Sequence, residues 1–439
     1  MTAAATTPTG VIVPVASEAE RRALRFSRVR GIVISALGLM AFGLASASMA
    51  SHVEFRFWVE QQGHEFVAIQ TAPGILWILT GVATGFTGVW QLWRGTAMRW
   101  RRWLALWLPF WVVAVVGTLL AGKTAVLTNV FAGTLEYAFP ISMGAFAALI
   151  CERSGMFDIA VEGKMLVGAC VASIAASMCI QWLGPDTGQI VGPIVGPLVA
   201  ALSGMGIGLL MAWLAVRYRV DQIITGTVVN FGALGLTNFV YLRVLQTYTD
   251  YNTPPTIEKI EIPLLSNIPV LGPILFQGTP YMYIGWVVMM VLFYFLFRTR
   301  WGLRLRASGE YPQAAGTVGI NVVAIRYRAM LLAGLISGFA GSYLSLHAAG
   351  SFQMNMSAGK GWIAIAAMIF GAWNPIGAFG AALVFGFADQ SQQLLSQMGV
   401  DIPPQFLASV PYILTIVVVA GVVGRVRGPA SAGQPYEQG

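Results

Sequence analysis

The sequence predicts an all-α polytopic membrane protein with about 10 transmembrane helices and additional broken or re-entrant half-helices. Of its 439 residues, 56% are hydrophobic and only 10% are charged, whereas a soluble domain carries about 25% charged residues. Apolar runs about 20 residues long alternate with short polar segments, and such runs are long enough to cross a bilayer as helices. The chain is therefore expected to lie in a lipid bilayer.

The positive charge of the chain predicts its orientation. The net charge is +8, and arginines stand at the ends of the apolar runs. Lys and Arg accumulate on the cytoplasmic side of membrane proteins, so this charge does not indicate nucleic acid binding. The alternation of charged ends predicts a multi-pass protein with both its N-terminus and its C-terminus, the tail 426–439, in the cytoplasm.

The first 121 residues are predicted to form a cytoplasmic tail over 1–30 and extra N-terminal transmembrane helices over 31–121. Arginines crowd the end of the tail, which places it inside. The apolar runs at 31–50, 71–93 and 103–121 are each long enough to span a bilayer. The acidic segment between the first two runs suits an outer loop.

No catalytic, metal or cofactor site is expected in this chain. The segment from Gly117 to Thr124 matches the P-loop pattern of ATP-binding proteins letter for letter. That motif needs a buried strand before it and a helix after it, whereas this segment closes a predicted membrane helix on the outer side. The histidines are too scattered for a metal site, and the cysteines are expected to be small core residues: His52, His64, His347, Cys151, Cys170 and Cys179.

A polar break at 151–164 divides two apolar stretches of the main transmembrane region, residues 122–425. Pro140 and Gly155 are expected to weaken any continuous helix here. Irregular polar backbone at membrane depth is tolerated where it lines a cavity or is buried in protein. Two interpretations remain open: a discontinuous element on the transport path that includes Glu162, or a short interfacial loop in which Glu162 is solvated.

Further spans are predicted at 190–216, 222–242 and 280–297, with the largest outer loop at 243–279. The second of these spans carries Asn230, an unusual polar residue for a membrane helix. An Asn at membrane depth either joins helices through hydrogen bonds or contacts a transported solute. Both roles remain open for Asn230.

The longest polar interruption, residues 298–328, contains six arginines and one acid, Glu310. Its charge predicts a cytoplasmic loop. The core from Gln313 to Gly319 is expected to form a short helix and a turn. One interpretation is an ordered surface on which a cytosolic partner acts; the other is an ordinary loop that only sets orientation.

After this loop the sequence predicts a span at 329–347, a second polar break at 350–360 and a last span at 408–424. Apolar pieces at 361–372 and 376–391 lie between the break and the last span. The first piece is too short to span at 1.5 Å per residue, so a half-helix or re-entrant pair is expected. Paired broken helices in two halves of a chain are typical of transporter binding sites.

Three blocks of the chain resemble permease subunits of bacterial ABC importers of the branched-chain amino acid, ribose and nucleoside type. The blocks are Ser154–Ala169, Arg306–Ile320 and Gly361–Gly377. The second block is similar to the family's cytoplasmic coupling segment, with Gln313 in place of the usual Glu. Asp158 stands where the family usually has Asn. The resemblance covers about residues 125–425 and looks closest to nucleoside permeases.

The resemblance implies a transport subunit that is not itself an enzyme and holds no cofactor. It implies cytosolic ATP-binding subunits that hold ATP and Mg, and a second homologous permease chain or a second copy of this one. It also implies an extracytoplasmic substrate-binding lipoprotein and a place in the plasma (inner) membrane. The expected solute is a nucleoside; a sugar such as ribose or a branched-chain amino acid is the alternative.

Two groups of candidate residues follow. Polar residues in or beside the broken spans are candidates for the substrate path: Glu162, Asn230, Gln353, Asn355 and Asn374. Residues of the loop are candidates for docking the ATPase: Glu310, Gln313, Ala314, Ala315 and Gly319. A rival hypothesis is an ion-coupled secondary transporter, which would use the same broken helices with Asp158 or Glu162 as its ion site.

Overall fold

We describe the fold from a computed structural model of the chain. The described residues are 4–6, 12–14, 18–56, 68–95, 110–111, 114–115, 117–119, 121–122, 124–399, 406, 409 and 428–436. The chain forms two compact units. The first consists of Met1–Leu127 and Leu395–Asp401, and the second consists of Thr128–Leu394 and Ile402–Gly439.

The predicted fold class is confirmed by the described helices. Eight of them are long and apolar enough to cross a membrane: Leu24–Ser48, Pro73–Arg94, Leu127–Arg153, Val161–Leu183, Pro185–Arg217, Gln222–Leu245, Pro280–Arg298 and Val322–Ala348. Each of them overlaps a predicted apolar span. The other two predicted spans, 103–121 and 408–424, lie mostly outside the described residues.

The described part of the first unit contains two long helices, α1 (Glu18–Ser48) and α2 (Pro73–Arg94). They approach closely because both carry glycine where they cross: a Cβ added at Gly38 would meet the Gly85 backbone at 2.7 Å. α1 begins within the predicted cytoplasmic tail, so the second half of that tail is helical.

The first unit also contains short strands that the all-helical prediction did not include. β1 (Ala4–Thr6) pairs antiparallel with β2 (Ile12–Pro14). β3 (Val53–Arg56) stands between β4 (Ala68–Thr71), which is antiparallel to it, and β5 (Thr124–Val126), which is parallel. Residues from both ends of the predicted outer loop after α1 thus pair in a small sheet, which satisfies their backbone groups.

The P-loop-like segment has a different local fold from a nucleotide site. Residues 117–119 are helical, residues 121–122 form a turn, and Thr124 begins β5. Lys123 lies outside the described residues. A P-loop runs in the opposite order, from strand through loop to helix.

Nine described helices lie wholly or mainly in the second unit. They are α3 (Leu127–Arg153), α4 (Val161–Arg217), α5 (Gln222–Val240), α6 (Pro280–Arg298), α7 (Arg300–Glu310), α8 (Pro312–Thr317), α9 (Val322–Tyr343), α10 (Lys360–Phe370) and α11 (Pro375–Gln397). π-helical turns occur at Tyr241–Leu245, Gly272–Phe276 and Leu344–Ala348, and a 3₁₀ turn occurs at Thr249–Asn252. Two short strands, β6 (Ile260–Glu261) and β7 (Gln277–Gly278), pair antiparallel.

α4 consists of two membrane spans that fold back on each other at Gly184. This residue has a φ of 82°, a left-handed conformation that glycine adopts readily. α9 packs against α4 through glycines, since a Cβ added at Gly338 would meet the Gly204 Cα at 2.9 Å. These small residues allow the backbones of the two helices to touch.

α3 is a deeply buried helix of the second unit and continues through Pro140. The expectation that Pro140 weakens the helix is therefore wrong. Proline removes one backbone hydrogen bond, but packed neighbouring helices and small local adjustments re-satisfy the freed groups in membrane helices. α3 ends instead at Arg153, just before Gly155, whose φ of 90° does not continue a helix.

Both predicted polar breaks interrupt the helices. The first lies at 154–160, between α3 and α4, and the second at 349–359, before α10. α10 has 11 residues, which gives a length of about 16 Å, roughly half of the hydrocarbon core. The predicted half-helix is confirmed, and α11 follows it after a short turn.

The predicted loop 298–328 folds into two helices, α7 and α8. α8 and the left-handed turn at Gly319, with a φ of 81°, confirm the predicted short helix and turn. Arg326 and Arg328 were expected in the loop, but both lie in α9. The loop expectation is wrong for Arg326, which is 2% exposed, because its guanidinium donates to the carbonyl of Gln434 at 2.9 Å.

Candidate functional site

A polar cavity of about 410 Å³ lies in the second unit. Its lining comes from α3, from the segment before β6, from the end of α9 with the turn that follows it, and from α11. The lining residues are Asn129, Ala132, Gly133, Glu136, Tyr137, Lys259, Tyr343, His347, Ala348 and Gln390. The volume falls in the range of small-molecule sites, roughly 300–1,000 Å³.

α3 supplies half of this lining because its polar and small residues recur at helical spacing. Asn129, Gly133 and Glu136 share one face of the helix. Gly133 leaves room for a side chain of α11, since a Cβ added there would meet the Gln390 amide nitrogen at 2.8 Å. The lack of a side chain at position 133 therefore lets the Gln390 amide lie against α3 in the cavity lining.

Glu136 is the electrostatic centre of the polar cavity. Its carboxylate lies 2.9 Å from the Lys259 Nζ and 3.7 Å from the His347 Nε2. The other ring nitrogen of His347, Nδ1, faces the Ile257 carbonyl at 2.9 Å. The Glu136 side chain is 14% exposed, so it is accessible to a small solute while its charge is balanced by neighbours.

One wall of the cavity is aromatic. The Tyr343 ring lies against the His347 ring at a tilt of 45°, with centroids 5.3 Å apart. Behind it, Tyr343 contacts Phe139 and Tyr281 with centroid distances of 5.3 and 5.5 Å. The cavity therefore offers hydrogen-bonding groups beside aromatic rings, of which Tyr137 is half-buried and Tyr343 is only 3% exposed. This combination suits a solute that has hydroxyl groups and a planar ring.

None of the five candidate path residues lines the polar cavity. Glu162, at the start of α4, accepts hydrogen bonds from the Ser357 Oγ at 2.6 Å and from the backbone N–H groups of Gly359 and Gly361 at 2.8 and 2.6 Å. These donors are at the N-terminus of α10, where an anion is favourable. The carboxylate thus holds the half-helix to α4.

Two of the other path candidates, Asn230 and Asn374, also have local roles. Asn230 accepts from the Gly163 N–H at 2.7 Å and donates to the Ile159 carbonyl at 2.9 Å, so it joins α5 to the first break. Asn374 accepts from the Ile376 N–H at 2.9 Å and caps α11. Gln353 and Asn355 are exposed in the second break. For all five residues, a place on the substrate path stays a prediction.

Asp158 forms a fully buried ion pair. Its carboxylate oxygen Oδ2 lies 2.7 Å from the Lys164 Nζ, and both side chains are 0% exposed. A buried charge requires a partner of this kind. The pair links the first break to the first turn of α4. The charge of Asp158, the residue that departs from the family pattern, is thus balanced by a lysine of the same chain.

The candidate docking residues lie on a second surface, which we call the α7–α8 surface: residues 300–319. Glu310, Gln313, Ala314 and Gly319 are exposed there, whereas Ala315 is 4% exposed and supports α8 from beneath. Two large exposed side chains extend the surface beyond the predicted set: Tyr311 at 64% and Val318 at 75%. Exposed apolar residues of this size are typical of an interaction site.

α7 is fixed to the end of α3. The Ser308 hydroxyl donates to the Ser154 carbonyl at 3.1 Å, and Gly309 lies against the backbone carbonyl of Arg153. From this same end of α3, the Arg153 guanidinium donates to the Trp373 carbonyl at 2.9 Å. The indole N–H of Trp373 donates to the Glu152 carboxylate at 2.6 Å. α3 therefore connects α7 to the turn between α10 and α11.

The polar cavity and the α7–α8 surface are at opposite ends of α3. Glu136 and Arg153 are 17 positions apart on this helix, a distance of about 26 Å at 1.5 Å per residue. A bilayer has a hydrocarbon core about 30 Å thick. One helix thus joins a solute-sized cavity to an interaction surface across nearly the full membrane.

Sequence reasoning missed the cavity residues, although part of the signal was present. Asn129, Gly133 and Glu136 recur at helical spacing within an apolar run, which is the pattern of a polar face directed into a bundle. Lys259, His347 and Gln390 are distant in sequence, and only the fold brings them to Glu136.

Comparison with known proteins gives one matching family. The family described as "Branched-chain amino acid transport system / permease component" matches residues 130–420. No solved structure matches the chain.

Several curated proteins are similar over most of their length. The guanosine ABC transporter permease protein NupQ of Bacillus subtilis is 37% identical over 317 residues, 72% of this chain and 98% of that protein. The nucleoside ABC transporter permease protein NupC of Lactococcus lactis is 37% identical over 313 residues, 71% of this chain and 97% of that protein. The putative glucose ABC transporter permease protein TsgC13 of Haloferax volcanii is 29% identical over 314 residues, 66% of this chain and 91% of that protein.

Proposed function

Since the chain belongs to the family of branched-chain amino acid transport permease components, we propose that it moves a nucleoside across the plasma (inner) membrane as the permease subunit of an ATP-driven importer. The family match over 130–420 agrees with the resemblance expected over about 125–425. The two relatives at 37% identity are described as guanosine and nucleoside permeases, and this similarity supports the choice of solute.

The polar cavity is the observation that carries the solute proposal. A nucleoside has a flat aromatic base, a sugar with hydroxyl groups, and no net charge. Nucleic acid bases stack on aromatic side chains and hydrogen-bond along their edges. In the cavity lining, the half-buried Tyr137 ring offers an aromatic surface, and the amides of Asn129 and Gln390 offer hydrogen bonds. The Glu136 carboxylate is an acceptor for sugar hydroxyl groups.

The two alternative solutes fit the cavity less well. A simple sugar such as ribose has hydroxyl groups but no flat base to lie against the aromatic rings of the lining. A branched-chain amino acid carries an ammonium and a carboxylate, and each needs an unpaired opposite charge. Lys259 and Glu136 already pair with each other at 2.9 Å, so this cavity favours a neutral solute.

The exposed residues of the α7–α8 surface support coupling to a cytosolic ATPase. Small residues such as Ala314 and Gly319 let a partner approach closely, and Tyr311 and Val318 supply apolar contact area. In the proposed mechanism, ATP-driven closure of the partner moves α7 and α8. α3 passes this motion to the polar cavity, which opens alternately to each side.

The proposed assembly contains a cytosolic subunit that binds ATP and Mg, a second homologous permease chain or a second copy of this one, and an extracytoplasmic substrate-binding lipoprotein. The arginines of α7 support a cytoplasmic position for the α7–α8 surface. The polar cavity then faces the extracytoplasmic side, from which the lipoprotein delivers the solute, and both termini are cytoplasmic.

The ion-coupled alternative has less support in the described residues. A coupling carboxylate must exchange an ion with the transport path. Asp158 is paired with Lys164 in the interior, and Glu162 is engaged by three hydrogen bonds at the start of α10.

Uptake by the complete complex tests the proposed coupling. Ala314→Arg should lower uptake of labelled guanosine about tenfold or more, because an unpaired charge buried against the ATPase costs upwards of about 1.4 kcal/mol. Ala314→Ser is the matched control and should retain uptake. An ionophore that collapses ion gradients while ATP is maintained should leave wild-type uptake unchanged. Loss of uptake under the ionophore, together with full activity of Ala314→Arg, would instead support the ion-coupled transporter.

A further inference from the structure

The C-terminal segment Gly428–Tyr436, which we call the strap, lies against α7 and α8. Ser431 is 4% exposed. Its backbone N–H donates to the Gly309 carbonyl at 2.9 Å, and its hydroxyl donates to the same carbonyl at 2.7 Å. The strap thus satisfies a carbonyl at the C-terminal end of α7, where helix carbonyls have no partner within the helix.

The strap also contacts three further elements of the second unit. The Gly433 N–H donates to the Gly155 carbonyl of the first break at 3.2 Å. The Gln434 carbonyl accepts from the Arg326 Nη1 of α9 at 2.9 Å. The Tyr436 hydroxyl lies over Gly316 of α8, 2.7 Å from where a Cβ would stand. One short segment therefore joins α7, α8, α9 and the first break.

Arg326 fixes the position of the strap. Its side chain is among the largest fully buried ones of the described chain, and its Nε and Nη2 have no hydrogen-bond partner among the described residues. The strap provides the carbonyl of Gln434 and the ring of Tyr436, whose centroid is 5.7 Å from the guanidinium carbon. A buried cation is costly without such contacts, so the strap and Arg326 depend on each other.

We propose that the strap is a cross-brace that makes α7, α8, the first break and the start of α9 move together when the ATPase acts. This inference rests on the proposed coupling role of the α7–α8 surface. The strap lies beyond residues 130–420, the part of the chain that the family match covers. It leaves Gln313 and Ala314 exposed, so it does not occupy the face of α8 that the partner would use.

The role of the strap in this proposal is to transmit the movement of the ATPase to the membrane helices, and not to bind the ATPase. Without it, α7 keeps its own hydrogen bond from Ser308 to Ser154, and α8 keeps its exposed face. The partner can therefore still bind and hydrolyse ATP. α7 and α8 would then move without moving α9 or the first break, because the contacts of the strap with Arg326 and Gly155 are absent.

The test compares three forms of the complete complex in proteoliposomes: wild type, a chain that ends at Arg427, and Tyr436→Ala. The number of ATP molecules hydrolysed per labelled guanosine transported should rise about fivefold or more in both altered forms, the lower range of typical coupling energies between sites. Gln434→Ala is the matched control, since its exposed side chain is replaced while its carbonyl remains. It should keep the wild-type ratio.

Hydrogen exchange at residues 300–317 of the same complexes provides a second measurement that does not depend on the solute. Faster exchange in the shortened chain and in Tyr436→Ala supports the cross-brace even if guanosine is not transported, which would count only against the proposed solute. Wild-type exchange and a wild-type ATP ratio in both forms would overturn the proposal. So would failure of Tyr436→Ala to assemble with the ATPase, because the strap would then serve folding or docking instead of coupling.

Discussion

At the scale of single residues, Glu162 shows how a charge within a membrane protein can be structural. Its carboxylate receives one hydroxyl and two backbone N–H groups at the start of α10. Glu162→Gln replaces one acceptor oxygen by an NH₂ group that would face these donors. We expect the free energy of unfolding to fall by about 2 kcal/mol, the usual value for hydrogen bonds to a charged group, measured by thermal unfolding of the purified complex.

Gln353→Ala is the control for this prediction, because its side chain is exposed in the segment just before α10. It should unfold at the wild-type temperature. If Glu162→Gln is as stable as wild type but loses uptake, the carboxylate belongs to the transport path, as the sequence allowed, and its role as a helix anchor is refuted.

The candidate residues illustrate what sequence can predict at this scale. Polarity within or beside an apolar run singles out Glu162 and Asn230 as candidates for the substrate path, and in the structure each has specific hydrogen-bond partners. It does not reveal the partner, because a helix cap, a bond between helices and a solute contact all need the same chemical groups. Glu136 and His347 escaped notice because their pairing depends on a contact between α3 and the turn after α9.

At the scale of elements, the contact of α4 with α9 depends on glycine. A Cβ at Gly338 would meet the Gly204 Cα at 2.9 Å, so Gly338→Leu must push the two backbones apart. We expect a loss of stability of about 3 kcal/mol or more, above the usual cost of overpacking because backbone atoms are the obstacle. The measurement is the folded yield of the purified complex and its unfolding temperature.

Gly206→Leu is the matched control on α4, since no atom lies within 4 Å of its added Cβ. It should fold with a yield close to that of wild type. Equal behaviour of the two variants would show that α4 and α9 are not in direct backbone contact.

The elements differ in how well their sequences predict them. α10 was predictable because its apolar piece is too short to span and is bounded by polar residues. α7 was hidden within a run of arginines, where charge dominates the pattern and the amphipathic face is narrow. Pro140 misled the prediction because packing, which sequence does not display, decides whether a helix continues through a proline.

At the scale of the whole molecule, composition and apolar periodicity were sufficient for the fold class. The described residues contain eight of the predicted spans, and the family match covers the region of the three resembling blocks. The proposed solute site did not follow from these signals. It depends on how α3, α9 and α11 converge, and each contributes only one to five residues to the polar cavity.

The central claim is that the chain moves a nucleoside through the polar cavity, and uptake of labelled guanosine by the complete complex tests it most directly. Gly133→Val would displace Gln390 and narrow the cavity. It should lower uptake about tenfold or more while the complex still assembles and hydrolyses ATP, because the solute loses more than about 1.4 kcal/mol of binding.

Excess unlabelled nucleosides should compete with guanosine in the wild-type complex, and glucose, ribose and leucine should not. The account predicts both results together. Guanosine uptake that is unchanged in Gly133→Val, or accumulation of labelled glucose, ribose or leucine with no uptake of nucleosides, would contradict it.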